Sequence, residues 1–170
     1  MWCIREMRIR ITTLSDENSV SELLLASYSE LMAREYDARA LAAALPRMAR
    51  ANPHLLASGT FYVVDGPAAS IIGCGGWTLE APDTKAETDG VAHLRHFATH
   101  PNFARRGVGR LIYSRCVEAA KLVGATKIQA YSSLTAVRFY SSVGLEPIRN
   151  FDLPLGDEVK LPAVLMEGKH

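Results

Sequence analysis

Two hydrophobic periods alternate along the chain and predict a sheet with helices packed on it. Alternating or continuous apolar runs, typical of strands, occur at 8–12, 60–64, 70–79, 91–100, 127–131, 146–151 and 161–166. Apolar residues spaced by three and four, typical of helices, run through 20–32, 41–45, 108–123 and 134–143. The pattern predicts an α/β fold with one mixed, mostly antiparallel sheet of about seven strands, flanked by about four helices.

Residues that cap or break helices suggest where the first two helices begin and end. Ser19 and Glu22 have the spacing of a capping box, although Asp16 is an alternative start for the first helix. Pro46 is expected to interrupt the second helix, because proline lacks a backbone donor. Residues 47–50 would then form a fresh turn with proline at its start.

Glycine and proline mark the connections between strands. Asp65-Gly66-Pro67 separates the second and third strands and predicts a hairpin turn. Gly73, Gly75 and Gly76 lie within the third strand, where glycine indicates a bulge or the close approach of another group. A polar loop at 81–90 precedes the fourth strand, and a second polar loop, around residues 154–158, separates the last two.

Composition is that of an ordinary globular chain of 170 residues, with 48% hydrophobic and 22% charged residues. A formal net charge of +1 gives no general attraction to nucleic acid or to membranes. No apolar run approaches the ~20 residues of a membrane span, and the N-terminus lacks the apolar core of a signal peptide. Cys3, Cys74 and Cys116 form no disulfide framework or metal spacing, which fits a reducing cytoplasm. We therefore expect one cytoplasmic domain over 1–170, with 1–6 as an extension.

Residues 91–123 form the most informative unit of the chain: a strand, a turn that contains arginines, and a helix. Pro101 ends the strand because it removes a donor from the ladder. Gly124 follows the helix at the position where a left-handed residue is favoured. Cys116 lies on the apolar face of this helix and is expected to be a core residue.

The turn before this helix has the features of an anion site. The first turn of a helix carries amides without intrahelical partners and the positive end of the helix dipole. Gly107 and Gly109 have no Cβ to obstruct a ligand that approaches the backbone. Positive charge is added by Arg105, Arg106 and Arg110. A phosphate or diphosphate fits this turn, although glycines that only let the chain turn and solvated arginines would give the same pattern.

Two well-known phosphate motifs are excluded by particular residues. A Walker loop needs two glycines separated by four other residues and followed by lysine and then serine or threonine. The chain contains no such segment. The dinucleotide fingerprint needs a third glycine where Ile112 stands.

The turn resembles the acyl-coenzyme A signature of the GCN5-related N-acetyltransferases, Gln/Arg-x-x-Gly-x-Gly/Ala, through residues 104–109, Ala-Arg-Arg-Gly-Val-Gly. A second segment, 136–145, is similar to the family's Ala-x-x-x-Tyr-x-x-x-Gly-Phe. The motifs cover residues 91–145, and the order of elements agrees from about Arg8 onward. Ala104 departs from the glutamine or arginine of the signature, but the backbone donors remain. The resemblance implies a sheet that splays between its fourth and fifth strands to admit acetyl-coenzyme A.

The resemblance also implies roles for particular residues. Backbone pairing with the pantetheine arm is implied for Phe97, Ala98 and Thr99. Diphosphate binding is implied for Arg105, Arg106, Gly107, Val108, Gly109 and Arg110. Tyr140 occupies the position of the general acid that protonates the departing thiolate, although Phe139 and Tyr140 would also serve as core aromatics.

The sequence identifies the general base less clearly than it identifies the general acid. Some family members use a glutamate on the fourth strand, and His93 stands at that position here. A histidine accepts a proton near neutral pH, but a water relay without a dedicated base is equally compatible. Strand alternation places His93 and Arg95 on one face and His96 on the other, barring a bulge, so His96 is a weaker candidate. A metal site formed by His93, His96 and His100 is disfavoured, because their faces differ and a fourth ligand is missing.

Other residues are assigned only by where the family builds its site. Ser133 replaces an asparagine that often contacts the pantetheine, and its hydroxyl is shorter. Glu30, Glu35 and Tyr36 are candidates for the acceptor side, or else form a solvated helix end.

The chain is thus predicted to be a cytoplasmic N-acetyltransferase that moves an acetyl group directly from acetyl-coenzyme A to an amine of a small molecule or peptide. It is expected to need no metal, nucleic acid or membrane, and association into a homodimer through the C-terminal strands is compatible with the family. A catalytically silent acyl-coenzyme A-binding or regulatory module is the main alternative. A nucleotide-binding protein unrelated to acyl transfer is a third.

Overall fold

In the computed structural model, which describes residues 6–156 and 158–170, seven strands form one mixed sheet in the order β1-β2-β3-β4-β5-β7-β6. The strands are β1 Arg8–Ile11, β2 Phe61–Asp65, β3 Ile71–Thr78, β4 Val91–Thr99, β5 Lys127–Ser133, β6 Glu146–Pro154 and β7 Lys160–Lys169. The α-helices are α1 Glu17–Leu31, α2 Ala38–Met48, α3 Pro53–Leu56, α4 Val108–Leu122 and α5 Val137–Ser142. The predicted α/β fold is confirmed, while most of the predicted N-terminal extension, together with Cys3 and Asp157, lies outside the described residues.

The first helix begins at the alternative start. Asp16 precedes α1, and its carboxylate accepts hydrogen bonds from the Thr13 amide at 2.8 Å and from the Arg10 guanidinium at 2.9 Å. Hydrogen bonding by Arg10 lowers the pKa of the Asp16 carboxyl. The capping box predicted at Ser19 and Glu22 is wrong, because both residues lie inside the helix.

Pro46 does not interrupt the second helix. It lies in the last turn of α2, which continues to Met48, and the Ala49 amide still donates to the Leu45 carbonyl at 2.8 Å. The fresh start comes later, where Asn52 caps α3 by accepting from the His54 amide at 2.9 Å. A proline near the end of a helix removes only one bond, so it need not end the helix where it stands.

The connection between β2 and β3 is longer than the predicted hairpin turn. The Gly66 amide donates to the Ser70 carbonyl at 2.7 Å, and a short 3₁₀ turn, Pro67–Ala69, lies between them. The glycines of β3 do permit close approach, as expected. A Cβ at Gly73 would collide with Val108 of α4, and one at Gly75 would lie 2.7 Å from the Phe97 ring.

β4 and β5 pair in parallel only from Val91 to His93, opposite Lys127 to Gln129. Beyond His93, β4 continues to Thr99 beside β3, while β5 pairs with β7 over its whole length. The sheet therefore forks between its fourth and fifth strands, which confirms the predicted splay. We call this opening the fork.

The two faces of the sheet carry separate apolar cores. One core packs α4 and α5 against the sheet and includes Leu94, Ile112, Cys116, Ile128 and Tyr140. The other packs α1 and α3 against β2, β3 and β4 and includes Leu23, Leu24, Leu55, Phe61, Val63 and Ala98. Within the described chain, no helix is long and apolar enough to cross a bilayer.

Tyr36 connects the segment after α1 to the open part of the sheet. Its hydroxyl donates to the Pro162 carbonyl at 2.7 Å and accepts from the Leu134 amide at 2.8 Å. These bonds join the α1–α2 connection to β7 and to the end of β5. Removing a hydroxyl that satisfies two backbone groups leaves both without a partner.

We predict that Tyr36→Phe lowers the free energy of unfolding by about 1–3 kcal/mol, because it leaves two partly buried backbone groups unpaired. Tyr113→Phe is the matched control, since the buried Tyr113 hydroxyl has no hydrogen-bond partner among the described residues. Urea unfolding followed by circular dichroism measures both. Equal stabilities for the two variants would contradict the prediction.

Candidate functional site

Within the fork, after His93, one edge of β4 has no neighbouring strand. The His100 amide donates to the Ile72 carbonyl of β3 at 2.9 Å. Because backbone groups along a strand alternate in direction, those of Ala98 also point to β3, while those of Phe97 and Thr99 point into the fork. The Tyr28 hydroxyl lies there, 3.4 Å from the Phe97 carbonyl to which it donates. The free edge of β4 can therefore pair with an extended ligand.

The turn between β4 and α4 also carries unpaired donors. Arg105 and Gly107 both have left-handed backbones, with φ of 62° and 87°. Among residues 6–156 and 158–170, no acceptor takes a hydrogen bond from the amides of residues 105–110. These amides stand at the positive end of the α4 dipole, so they suit an anion.

The side chains of this turn serve more purposes than the sequence suggested. A Cβ at Gly109 would lie 3.1 Å from the Phe139 ring, so this glycine allows α4 and α5 to pack closely. Arg110 donates to the Ser142 carbonyl at 3.2 Å, and the Arg106 guanidinium lies 5.4 Å from the centre of the Phe103 ring. Arg105 and Arg106 remain solvent-exposed and near the free amides, whereas Arg110 is partly engaged by α5.

Tyr140 lies on α5 and faces Phe97 of β4. Its ring is 6% exposed and packs 6.0 Å from the Phe97 ring and 5.1 Å from the Phe139 ring, centre to centre. In the described part of the chain, its hydroxyl has no hydrogen-bond partner. Burial raises the pKa of the Tyr140 phenol, so the hydroxyl keeps its proton at neutral pH. The ring is thus a core residue, and the hydroxyl is free to donate a hydrogen bond.

His93 occupies the point at which the strands separate. It is 3% exposed, and neither ring nitrogen has a hydrogen-bond partner among the residues described. Burial lowers the pKa of the His93 imidazole, Arg95 lowers it further, and Asp83 raises it. The ring of Tyr131 on β5 meets it edge-on at 6.5 Å, and the Tyr131 hydroxyl donates to Asp83 at 2.9 Å. A neutral, unpartnered imidazole at this position can accept a proton.

His96 does not follow the alternation of a regular strand. Cys74 pairs with Ala98 but Gly76 pairs with Arg95, so β4 carries one extra residue, and the φ of His96 is 49°. The bulge interrupts the alternation on which the face of His96 was predicted, and that prediction held only for a strand without a bulge. Burial, with Arg95 and Lys85 nearby, lowers its pKa to about 4. A base this weak is poorly matched to proton transfer near neutral pH.

The remaining candidates are mostly engaged within the protein. Ser133 accepts a hydrogen bond from the Ala136 amide at 3.2 Å and so caps the turn before α5. Tyr36 makes the two bonds described above, whereas Glu30 and Glu35 are exposed. Across the described residues, no three histidine, cysteine or carboxylate side chains are grouped as a metal would require.

Four side chains around the fork were not recognised from the sequence as part of a site: Tyr28, Asp83, Arg95 and Tyr131. Tyr28 belongs to the apolar stripe of α1, and Asp83 lies in a polar loop. Their proximity to the fork arises from contacts between distant parts of the chain. Only the position of Arg95, two residues after His93, was a usable signal.

Solved structures resemble this chain over almost its full length. The PaiA N-acetyltransferase of Thermoplasma acidophilum, solved in complex with coenzyme A, has a TM-score of 0.74 at 14% identity, covering 97% of this chain and 99% of that one. A GCN5-related N-acetyltransferase from Rhodopseudomonas palustris has a TM-score of 0.75 at 19% identity, covering 96% and 95%. Ard1 from Thermoplasma volcanium has a TM-score of 0.63 at 19% identity, covering 96% and 97%. The forked sheet is thus the fold of the GCN5-related N-acetyltransferases.

The model of the acetyltransferase (GNAT) family matches residues 18–145, and the chain belongs to this family. No curated protein sequence matches the chain. Family membership makes the protein an acyltransferase whose family uses acetyl-coenzyme A as cosubstrate. The free amides at the start of α4 and the open edge of β4 fit the diphosphate and the pantetheine arm of such a ligand.

We predict that Gly107→Ala weakens coenzyme A binding about tenfold or more, the effect of losing one charge-assisted hydrogen bond. An alanine strained at this left-handed position would turn the neighbouring amides away from the anion. Gly124→Ala is the control, because Gly124 follows the same helix with a φ of 89°. Each variant should lose roughly 1–2 kcal/mol of stability from backbone strain.

Isothermal titration calorimetry with coenzyme A compares the two variants. Equal affinities for Gly107→Ala and Gly124→Ala would show that the amides at the start of α4 do not bind the diphosphate.

Proposed function

We propose that this protein transfers an acetyl group directly from acetyl-coenzyme A to a primary amine of a small molecule or peptide. The observation that carries the proposal is the fork: its free β4 edge leads to the unpaired amides at the start of α4, Tyr140 packs against Phe97 of that edge, and His93 lies where the fork opens. When bound, acetyl-coenzyme A would supply the acetyl group as a thioester.

The backbone of β4 and the turn after it would position the donor. The backbone groups of Phe97 and Thr99 would pair with the pantetheine amides as a strand does, and Ala98 would hold this segment against β3. The amides of residues 105–109 would bind the diphosphate, with Arg105 and Arg106 adding charge from the solvent side. Tyr28 would release the Phe97 carbonyl, since its bond of 3.4 Å is long and weak.

Two side chains would handle the protons. The amine must lose a proton to attack the carbonyl carbon, and His93 is the group placed to accept it, directly or through one water. Tyr140 would donate its proton to the sulfur as the carbon–sulfur bond breaks. Both groups are in the required state at neutral pH, because burial keeps the imidazole neutral and the phenol protonated.

We predict that Tyr140→Phe lowers kcat by roughly 10²–10⁴-fold, the usual effect of removing a general acid. Coenzyme A affinity should change little, because the ring and its packing are retained. Tyr113→Phe is the control, since it removes a neighbouring buried hydroxyl from α4. Thiol release is measured for a panel of primary amines, with melting temperature as the check on folding.

Near-normal turnover by folded Tyr140→Phe would remove Tyr140 from this role. Tight binding of acetyl-coenzyme A, without thiol release above hydrolysis for any amine, would instead support a catalytically silent acyl-coenzyme A-binding module.

The pH dependence of kcat tests His93. A base must be unprotonated, so kcat at saturating acceptor should rise through an apparent pKa below the ordinary ~6.5 of histidine and then level off. Asp83→Asn should move this limb to lower pH, because it removes the carboxylate that favours the imidazolium, while Arg95 on the same strand keeps opposing it. Tyr131 on β5 is neutral in this range.

His93→Gln should abolish the limb and lower kcat by roughly 10²-fold. If the limb persists unchanged in His93→Gln, it reports another group, and a water relay without His93 would be favoured.

A further inference from the structure

The Arg95 guanidinium is half-buried, and few protein groups replace the water that it has lost. Its guanidinium donates one hydrogen bond, to the Thr78 hydroxyl at 3.1 Å. Among the residues that the structure describes, no carboxylate lies within 4.0 Å of it, in contrast to Arg10 and Lys127. Burial lowers the pKa of Arg95, opposed by the more distant Glu80. A desolvated arginine is costly unless its remaining donors bind an anion.

The guanidinium lies on the same face of the sheet as His93. Thr78 stands opposite His93 in the register of β3 and β4, and Arg95 is the next residue on that face. Ala92 and Leu94, which alternate with them, pack in the core beneath α4. Arg95 and His93 therefore both belong to the face that α4 does not cover.

A group of opposite charge, Asp83, is linked to His93 through Tyr131. Asp83 is held by the Tyr131 hydroxyl at 2.9 Å, and the Tyr131 ring contacts both His93 and Phe151. Arg95 lowers the pKa of the His93 imidazole and Asp83 raises it. The unpartnered imidazole thus has the Arg95 cation two residues along its own strand and the Asp83 carboxylate linked to it through Tyr131.

We propose that Arg95 binds a carboxylate of the acceptor, so that the acetylated amine belongs to a molecule that also carries a carboxylate, as an amino acid does. The planar guanidinium fork suits a carboxylate in two-point contact. Asp83 and Tyr131 attract the ammonium end toward His93. The inference rests on the proposed transferase function, and it adds the class of acceptor.

Paired probes test the carboxylate directly. Protein saturated with coenzyme A is melted in the presence of each L-amino acid and of its α-amide, which differ only in the carboxylate. At least one amino acid should raise the melting temperature more than its amide does, because a ligand that binds the folded state stabilises it. Arg95→Gln should abolish this difference, Arg95→Lys should retain part of it, and Arg115→Gln should leave it intact. Arg115 is a control because it is exposed on α4, over the Tyr62 ring.

Steady-state thiol release with the same pairs gives a second readout. Amino acids should have kcat/KM values at least tenfold above those of their amides, and the difference should come from a lower KM. This is expected even though a larger fraction of each amide carries an unprotonated amine. The inference is overturned if no amino acid stabilises the protein more than its amide, or if the difference survives in folded Arg95→Gln. Acetyl transfer to amines without a carboxylate preference would overturn it while leaving the proposed function standing.

Discussion

The structure depends on one unsatisfied edge. β4 pairs with β3 from His93 to Thr99, but it loses β5 after His93, while β5 continues beside β7. Backbone groups that face a gap must find water or a ligand, since each buried, unpaired group costs about 1–3 kcal/mol. The bulge at His96 adds to this irregularity. A sheet that would otherwise be continuous thus leaves the hydrogen-bonding groups of β4 open to a ligand.

The two ends of this edge are fixed by different kinds of interaction. At the outer end, the α4 helix begins at Val108 with unpaired amides, and this arrangement is purely local in the sequence. At the inner end, His93, Arg95, Asp83 and Tyr131 meet through strand register and a loop contact. The outer end offers backbone amides that suit an anion, whereas the inner end presents side chains brought together from distant parts of the chain.

Local features were therefore predictable from the sequence, and distant contacts were not. The strands, the α4 helix and the anion turn follow from periodicity, capping and glycine placement within a few residues. Pro46 was misjudged because a proline near a helix end costs only one bond, and α2 continues past it to Met48. The face of His96 could not be predicted from alternation, because alternation holds only until a strand acquires an extra residue. Asp83 could not have been assigned, since its partner Tyr131 lies 48 positions away.

The contact of Gly109 with Phe139 has a mechanical consequence. Together with the bond from Arg110 to the Ser142 carbonyl, it joins the start of α4 rigidly to α5, the helix that carries Tyr140. The distance between the amides at the start of α4 and the Tyr140 hydroxyl is therefore set by the fold. A thioester carrier of a different length, or one without a diphosphate, could not contact both the α4 amides and the Tyr140 hydroxyl.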